Sequence, residues 1–285
     1  TDVARYRAGD LDMTNYALPP EQFAKLQKEL PGEVFTTRTL ATYSYELNNK
    51  KAPFDNVNVR KALNLSLDRN VITDKVLGQG QTPTYVFTPT YIEEGHLIQQ
   101  PAYSKEPMAQ RNEEAIKLLE EAGYSKANPL KFSILYNTNE NHKKVAIAAA
   151  SMWKANTKGL IDVKLENQEW KTYIDSRRAG RYDAARAGWN ADYNQATTFG
   201  NYFLSNSSNN TAKYANPEYD KAIAESYVAT DAEGRAKAYA KAEEILAKDF
   251  GIVPIFNYVN PRLVKPYVKG YSGKDPQDHI YLRNL

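Results

Sequence analysis

The stretch from residue 131 to residue 166 restricts the fold more than any other. Apolar Ile161, Val163 and Leu165 alternate with charged Asp162, Lys164 and Glu166, the period-two pattern of a strand with one wet face. A second short strand is expected at 131–135. Between the two, Val145, Ala148, Ala149 and Met152 recur at helical spacing, and Gly159 marks the end of that helix. Strand, helix, strand at this spacing is a βαβ crossover, which is almost always right-handed. The chain is therefore expected to be α/β, with helices packed on a sheet.

The remaining pattern agrees. Asp55 or Asn56 is placed to cap a helix carrying Val59, Ala62, Leu63 and Leu67. Ala115, Leu118, Leu119 and Ala122 form another helix, stopped by Gly123 as a left-handed cap. Trp170, Tyr173 and Ile174 mark a third, ending before Gly180. Two more occupy 217–229 and 231–247, the second capped by Thr230 or Asp231. Further strands are expected at 182–189 and 252–256, and the Pro- and Gly-rich stretch 78–107 reads as turns. Leu11, Met13, Leu18, Phe23, Leu26 and Leu30 form an amphipathic unit too small to bury itself alone. Residues 258–285, rich in Pro and Gly, read as an accessory wrap. The expected organisation is one α/β lobe at 45–257, with the ends 1–44 and 258–285 belonging to a second lobe.

Composition removes several function classes. At 285 residues, 42% hydrophobic and 25% charged, the chain is globular rather than disordered. It has no run of about 18 apolar residues that would span a bilayer. The start, TDVARYRAGDLDMT, has neither a basic n-region nor an apolar h-region, so a mature chain or a fragment is expected. Cysteine is absent, which excludes disulfides and thiolate chemistry. The net charge is +3, and basic residues are scattered among glutamates rather than gathered as a nucleic-acid binder would gather them. His96, His142 and His279 make no metal-ligand spacing, no serine sits in GxSxG, and Gly78-Gln79-Gly80 lacks the rest of a phosphate loop. Carboxylate pairs abound, and the sequence leaves a glycosidase-like pair open without supporting it. No cofactor, no metal and no catalysis are expected. The 21 tyrosines suit recognition surfaces, and equally suit strand edges.

The informative segment is RAGWNADYN, residues 186–194, where a strand ends and a polar turn begins. Ligand sites of α/β proteins lie in the crevice at strand termini. Arg186 shares a strand face with Ala184 and Gly188, while Trp189 points to the other face unless the strand bulges. Gly188 lets another backbone approach. A peptide with charged ends fits this set: Asp192 for an α-ammonium, Arg186 for a carboxylate, and the strand edge for backbone hydrogen bonds. A structural reading stays open beside it, with Trp189 in the core and Asp192 capping a helix that starts near Thr197.

Together with RAGWNADYN, the blocks at 45–69 (YELNNKKAPFDNVNVRKALNLSLDR), 114–124 (EAIKLLEEAGY), 141–144 (NHKK), 167–173 (NQEWKTY), 203–214 (FLSNSSNNTAKY) and 260–276 (NPRLVKPYVKGYSGKDP) make the chain resemble family 5 of the extracytoplasmic solute-binding proteins of bacterial ABC importers. The oligopeptide receptors fit best, and the murein-tripeptide receptors are near relatives. The resemblance implies a type II-like periplasmic-binding-protein lobe with a mixed sheet and flanking helices, plus segments of a second lobe. It implies a monomeric periplasmic receptor that captures short peptides and delivers them to the importer's permease subunits. Asp192 would meet the peptide N-terminus, and the backbone of Gly188, Trp189 and Asn190 would pair with the peptide. Arg186 and His142 would meet its C-terminus, and Trp170, Trp189, Arg177 and Glu46 would line side-chain pockets. His142 taken alone fits an exposed polar position at a helix start equally well. Members of the family carry a long part ahead of this segment, so the chain is expected to be a C-terminal portion.

Overall fold

A computed structural model describes residues 2–15 and 18–285. Its elements, in order, are α1 (Asp2–Ala8), α2 (Pro20–Glu29), β1 (Val34–Leu47), α3 (Val57–Leu65), β2 (Thr82–Pro83), α4 (Met108–Glu121), β3 (Leu130–Asn137), α5 (Glu140–Asn156), β4 (Ile161–Gln168), α6 (Trp170–Arg178), β5 (Ala184–Asn190), α7 (Thr197–Gly200), α8 (Pro217–Val228), α9 (Ala232–Lys248) and β6 (Ile252–Leu263). A short π-helix, Val71–Leu77, follows α3.

The six strands make one mixed sheet in the order β2-β6-β1-β5-β3-β4. β3 runs parallel to β4 and β5, and β1 runs antiparallel to β5 and β6. The expected crossover is β3-α5-β4, but the inward face of α5 is rotated from the one read in the sequence. Val145, Ala146, Ala149 and Trp153 are buried, while Ala148 and Met152 are half-buried. The indole explains the shift: Trp153 is fully buried and donates Nε1–H to Leu63 O at 2.9 Å, which turns the helix to bring it inward. Asn56 rather than Asp55 caps α3, and Asp231 caps α9. Gly123 ends α4 with φ +89°, a conformation that a side chain would strain.

Each face of the sheet carries its own core. Tyr43, Tyr45, Leu47, Ala184 and Phe256 point to one face, under α3, α4 and α5. Leu40, Trp189 and Ile252 point to the other, packed with Phe199, Tyr202 and Phe203 and with α8 and α9. Tyr6, Leu18, Phe23, Leu26 and Leu263 form a separate cluster around α1 and α2. β1 crosses residue 44 and β6 crosses residue 257 without a break.

Candidate functional site

A cleft of about 560 Å³ opens at the carboxyl end of β3 and β5, within the size range of ligand sites. β1 and β5 supply its floor through Thr39, Ala41, Tyr43, Gly188 and Asn190. Its walls come from the start of α5, from Leu77 at the end of the π-helix and Gln79 and Gln81 beyond it, from Tyr258 to Pro261 on β6, and from Pro276 and Gln277 of the tail.

The register places the site residues. Tyr43 faces Gly188 and Tyr45 faces Arg186 across the β1–β5 pair, so these side chains share one face. The β3–β5 ladder extends only over Ile134–Ala184 and Leu135–Ala185. Beyond Ala185, β5 therefore has one partnered edge, toward β1, and one open edge, toward the cleft. Backbone groups alternate in direction along a strand. Tyr173 OH donates to Arg186 O on the side away from β1, so the groups of Gly188 and Asn190 face the same open side. A Cβ on residue 188 would lie 2.9 Å from both Arg186 Nη2 and Tyr258 OH, so only glycine leaves that pair undisturbed.

Arg186 is the strongest charge in the cleft. Its guanidinium donates to Tyr258 OH, lies 3.4 Å from Asn137 Oδ1, and stands 5.1 Å from the Tyr43 ring centroid. Among the described residues it has no carboxylate partner, and its buried Nε has no acceptor. His142 lies in the first turn of α5, which Asn139 caps, with its ring 5.6 Å from that of Tyr43. Burial and the neighbouring Arg186 cation push the His142 pKa down from 6.5 to about 3. A neutral imidazole, a guanidinium without a counter-ion and the positive end of a helix thus converge on one corner, a place suited to an anion.

The sign of the pH effect follows. Below about pH 6.5 the unfolded chain takes up a proton at position 142, which the folded chain does not do until about pH 3. Stability from this group is complete above the first value and falls as pH drops through the window. His142→Gln is expected to remove up to about 2 kcal/mol of the stability lost between about pH 7 and about pH 5. Urea unfolding of both proteins at the two pH values checks it.

The other expected site residues are dispersed. Trp170 lines the cleft mouth and is 58% exposed. Trp189 points to the opposite face, as period two requires, and packs edge-on against Tyr202 at 4.9 Å. Arg177 and Glu46 do not line this cleft: they form a buried ion pair at 2.9 Å on that opposite face, joined by Tyr202 and Thr211. Asp192 is exposed just past the end of β5 and does not cap α7, whose cap residue is Ala196. Its amide instead lies 3.4 Å from Thr198 Oγ1, leaving the carboxylate free of partners among the described residues. Sequence reasoning missed Tyr43, Tyr258 and Asn137, which hold Arg186. Their own runs carry no chemical motif, and only the sheet brings them together.

Fold and cleft define the class of protein. Residues 1–211 match the family described as bacterial extracellular solute-binding proteins, family 5 Middle, and the chain belongs to that family. It is 96% identical over its whole length to the periplasmic oligopeptide-binding protein OppA of Haemophilus influenzae, of which it covers 53%. It is 43% identical over 99% of its length to the periplasmic murein peptide-binding protein MppA of Escherichia coli, of which it covers 52%. The chain thus spans about half the length of the curated relatives it matches. Among solved structures, H. influenzae OppA in complex with RPPGFSPFR superposes with TM-score 0.93 at 95% identity, over 99% of this chain and 55% of that one. E. coli MppA superposes with TM-score 0.90 at 43% identity, over 99% of this chain and 55% of that one.

Proposed function

We propose that this chain supplies the peptide-contacting part of a periplasmic receptor that captures short peptides and hands them to the permease subunits of an ABC importer. The observation that carries the reading is the open edge of β5, bracketed by a half-buried cation at Arg186 and a free carboxylate at Asp192. An extended peptide adds to such an edge through its backbone, whatever its side chains. Its carboxylate would neutralise Arg186 beside His142, and its ammonium would reach Asp192. The relatives' names point the same way, and a relative of 96% identity favours general oligopeptides over murein peptides at 43%.

The role is binding without catalysis. The cleft holds a neutral histidine and an arginine, and among the described residues no nucleophile stands within hydrogen-bond reach of a base there. The division into 1–44, 45–257 and 258–285 is read as a change of packing partner along continuous strands, since Leu263 packs with α1 and α2 while Val253 and Ile255 belong to the main core.

Asp192→Asn in the full-length polypeptide is expected to weaken trialanine binding by tenfold or more, about 1.4 kcal/mol, and to leave N-acetyl-trialanine unaffected. Titration calorimetry decides. Unchanged affinity for the free-amine peptide would remove the anchor assignment.

A further inference from the structure

The tail segment 271–278 crosses back over the cleft and is fastened at several points. Tyr271 lies edge-on to Phe35 at 5.2 Å, with its hydroxyl 3.1 Å from Thr37 Oγ1. Asp278 pairs with Arg262, which is 2% exposed, and accepts from Asn260 Nδ2 at 2.8 Å. The central fastening joins the tail to β1 beside the end of β5. The β1–β6 register breaks between Arg38 and Thr42. Within that irregular stretch Leu40 N–H donates to Pro276 O at 2.8 Å, while Leu40 O accepts from Ala191 N at 2.8 Å.

This junction sets the tail against the far end of the β5 edge. Pro276 and Gln277 line the cleft beside Asn190 and Ala191, and Gln277 Nε2 comes 3.5 Å from Asp192 O. Arg186 stands at the other end, roughly 13 Å away along an extended strand. Past Asn190 the next groups on the open side are those of Asp192, and both are engaged: its N–H with Thr198 Oγ1 at 3.4 Å and its O with Gln277 Nε2 at 3.5 Å.

We propose that segment 271–278 is a specificity-determining end stop: Pro276 and Gln277 occupy the space an extended ligand would enter beyond Asp192, so the ligand has to begin there, with a small, unblocked amine. This rests on the peptide-binding reading above. Selectivity arises here from excluded volume as well as from the attraction of Asp192, a repulsive element added to an attractive one.

The test compares trialanine with N-acetyl-trialanine by calorimetry, in the full-length polypeptide. The parent is expected to favour the free amine by tenfold or more. Gln277→Gly, which keeps the Arg262–Asp278 fastening, is expected to cut that preference at least fivefold by admitting the acetyl group. Asp278→Ala, which releases the tail, is expected to do the same. A ratio of affinities is insensitive to the fraction of protein folded, so a destabilised variant still reports. A preference within twofold of the parent in Gln277→Gly overturns the end stop. The Asp192→Asn protein separates the two ideas. If it weakens trialanine alone while Gln277→Gly changes nothing, the receptor reading stands and the end stop falls. If Asp192→Asn leaves trialanine unchanged, both fall together.

Discussion

Arg177→Met is expected to lower the unfolding free energy by about 3–5 kcal/mol, the cost of leaving a buried charge without its partner. The charge left behind is Glu46, which is fully buried near the end of β1. Its carboxylate has three partners: Arg177 at 2.9 Å, Tyr202 OH at 2.6 Å, and Thr211. Tyr202 and Thr211 also accept from Arg177, at 3.2 and 3.0 Å, so the guanidinium organises all of them. Neither charge lines the cleft, so peptide affinity of the folded variant is expected to stay within threefold of the parent. Combining Arg177→Met with Glu46→Leu is expected to recover much of the loss, because the desolvation penalty of the pair disappears with it. Urea unfolding of the parent, both single variants and the double variant measures the coupling. A double variant as weak as the sum of the singles would mean that the pair acts through packing rather than charge.

Arg186→Met is expected to act in the opposite way, costing about 2–5 kcal/mol of affinity for peptides with a free carboxylate. Loss of a half-buried cation without a carboxylate partner relieves desolvation, so stability is expected to hold or rise. Tyr43 keeps its stacking on Phe256 at 4.7 Å, and methionine fills most of the vacated space. Peptides amidated at the C-terminus separate charge from shape. They are expected to bind the parent and Arg186→Met within threefold of each other, while free-acid peptides distinguish the two. Equal losses for both kinds of peptide would show that Arg186 serves as a wall rather than as a counter-ion.

The two arginines lie nine positions apart, Arg177 in α6 and Arg186 in β5. Arg177 ends on the α6 side, turned to the closed face of the sheet. Arg186 sits on β5 with Tyr45 across from it, on the face that opens into the cleft. Strand parity placed Arg186 with Gly188 and put Trp189 on the reverse face, and the structure has both so. Parity says nothing of Arg177, which lies in a helix whose rotation depends on what it packs against. The long strand β1 was also hidden. Its residues from Leu40 to Leu47 are all buried, so the alternation that reveals a half-wet strand is missing. β4, at the sheet edge with polar residues facing outward, was the easiest strand to read for the converse reason.

From sequence alone came everything that depends on neighbours along the chain: the βαβ unit, the caps at Asp231 and Gly123, the parity of 186–190, and the family through its motif blocks. Tertiary structure alone decided which charge is spent inside and which is left for a guest. It made β1 the central strand, ended the β3–β5 ladder at Ala185, and seated the tail against Leu40. The physical reason is that a polar group's role depends on whether another group has already satisfied it. Those partners can lie more than 200 positions away, as Pro276 does from Leu40, where no local pattern reaches.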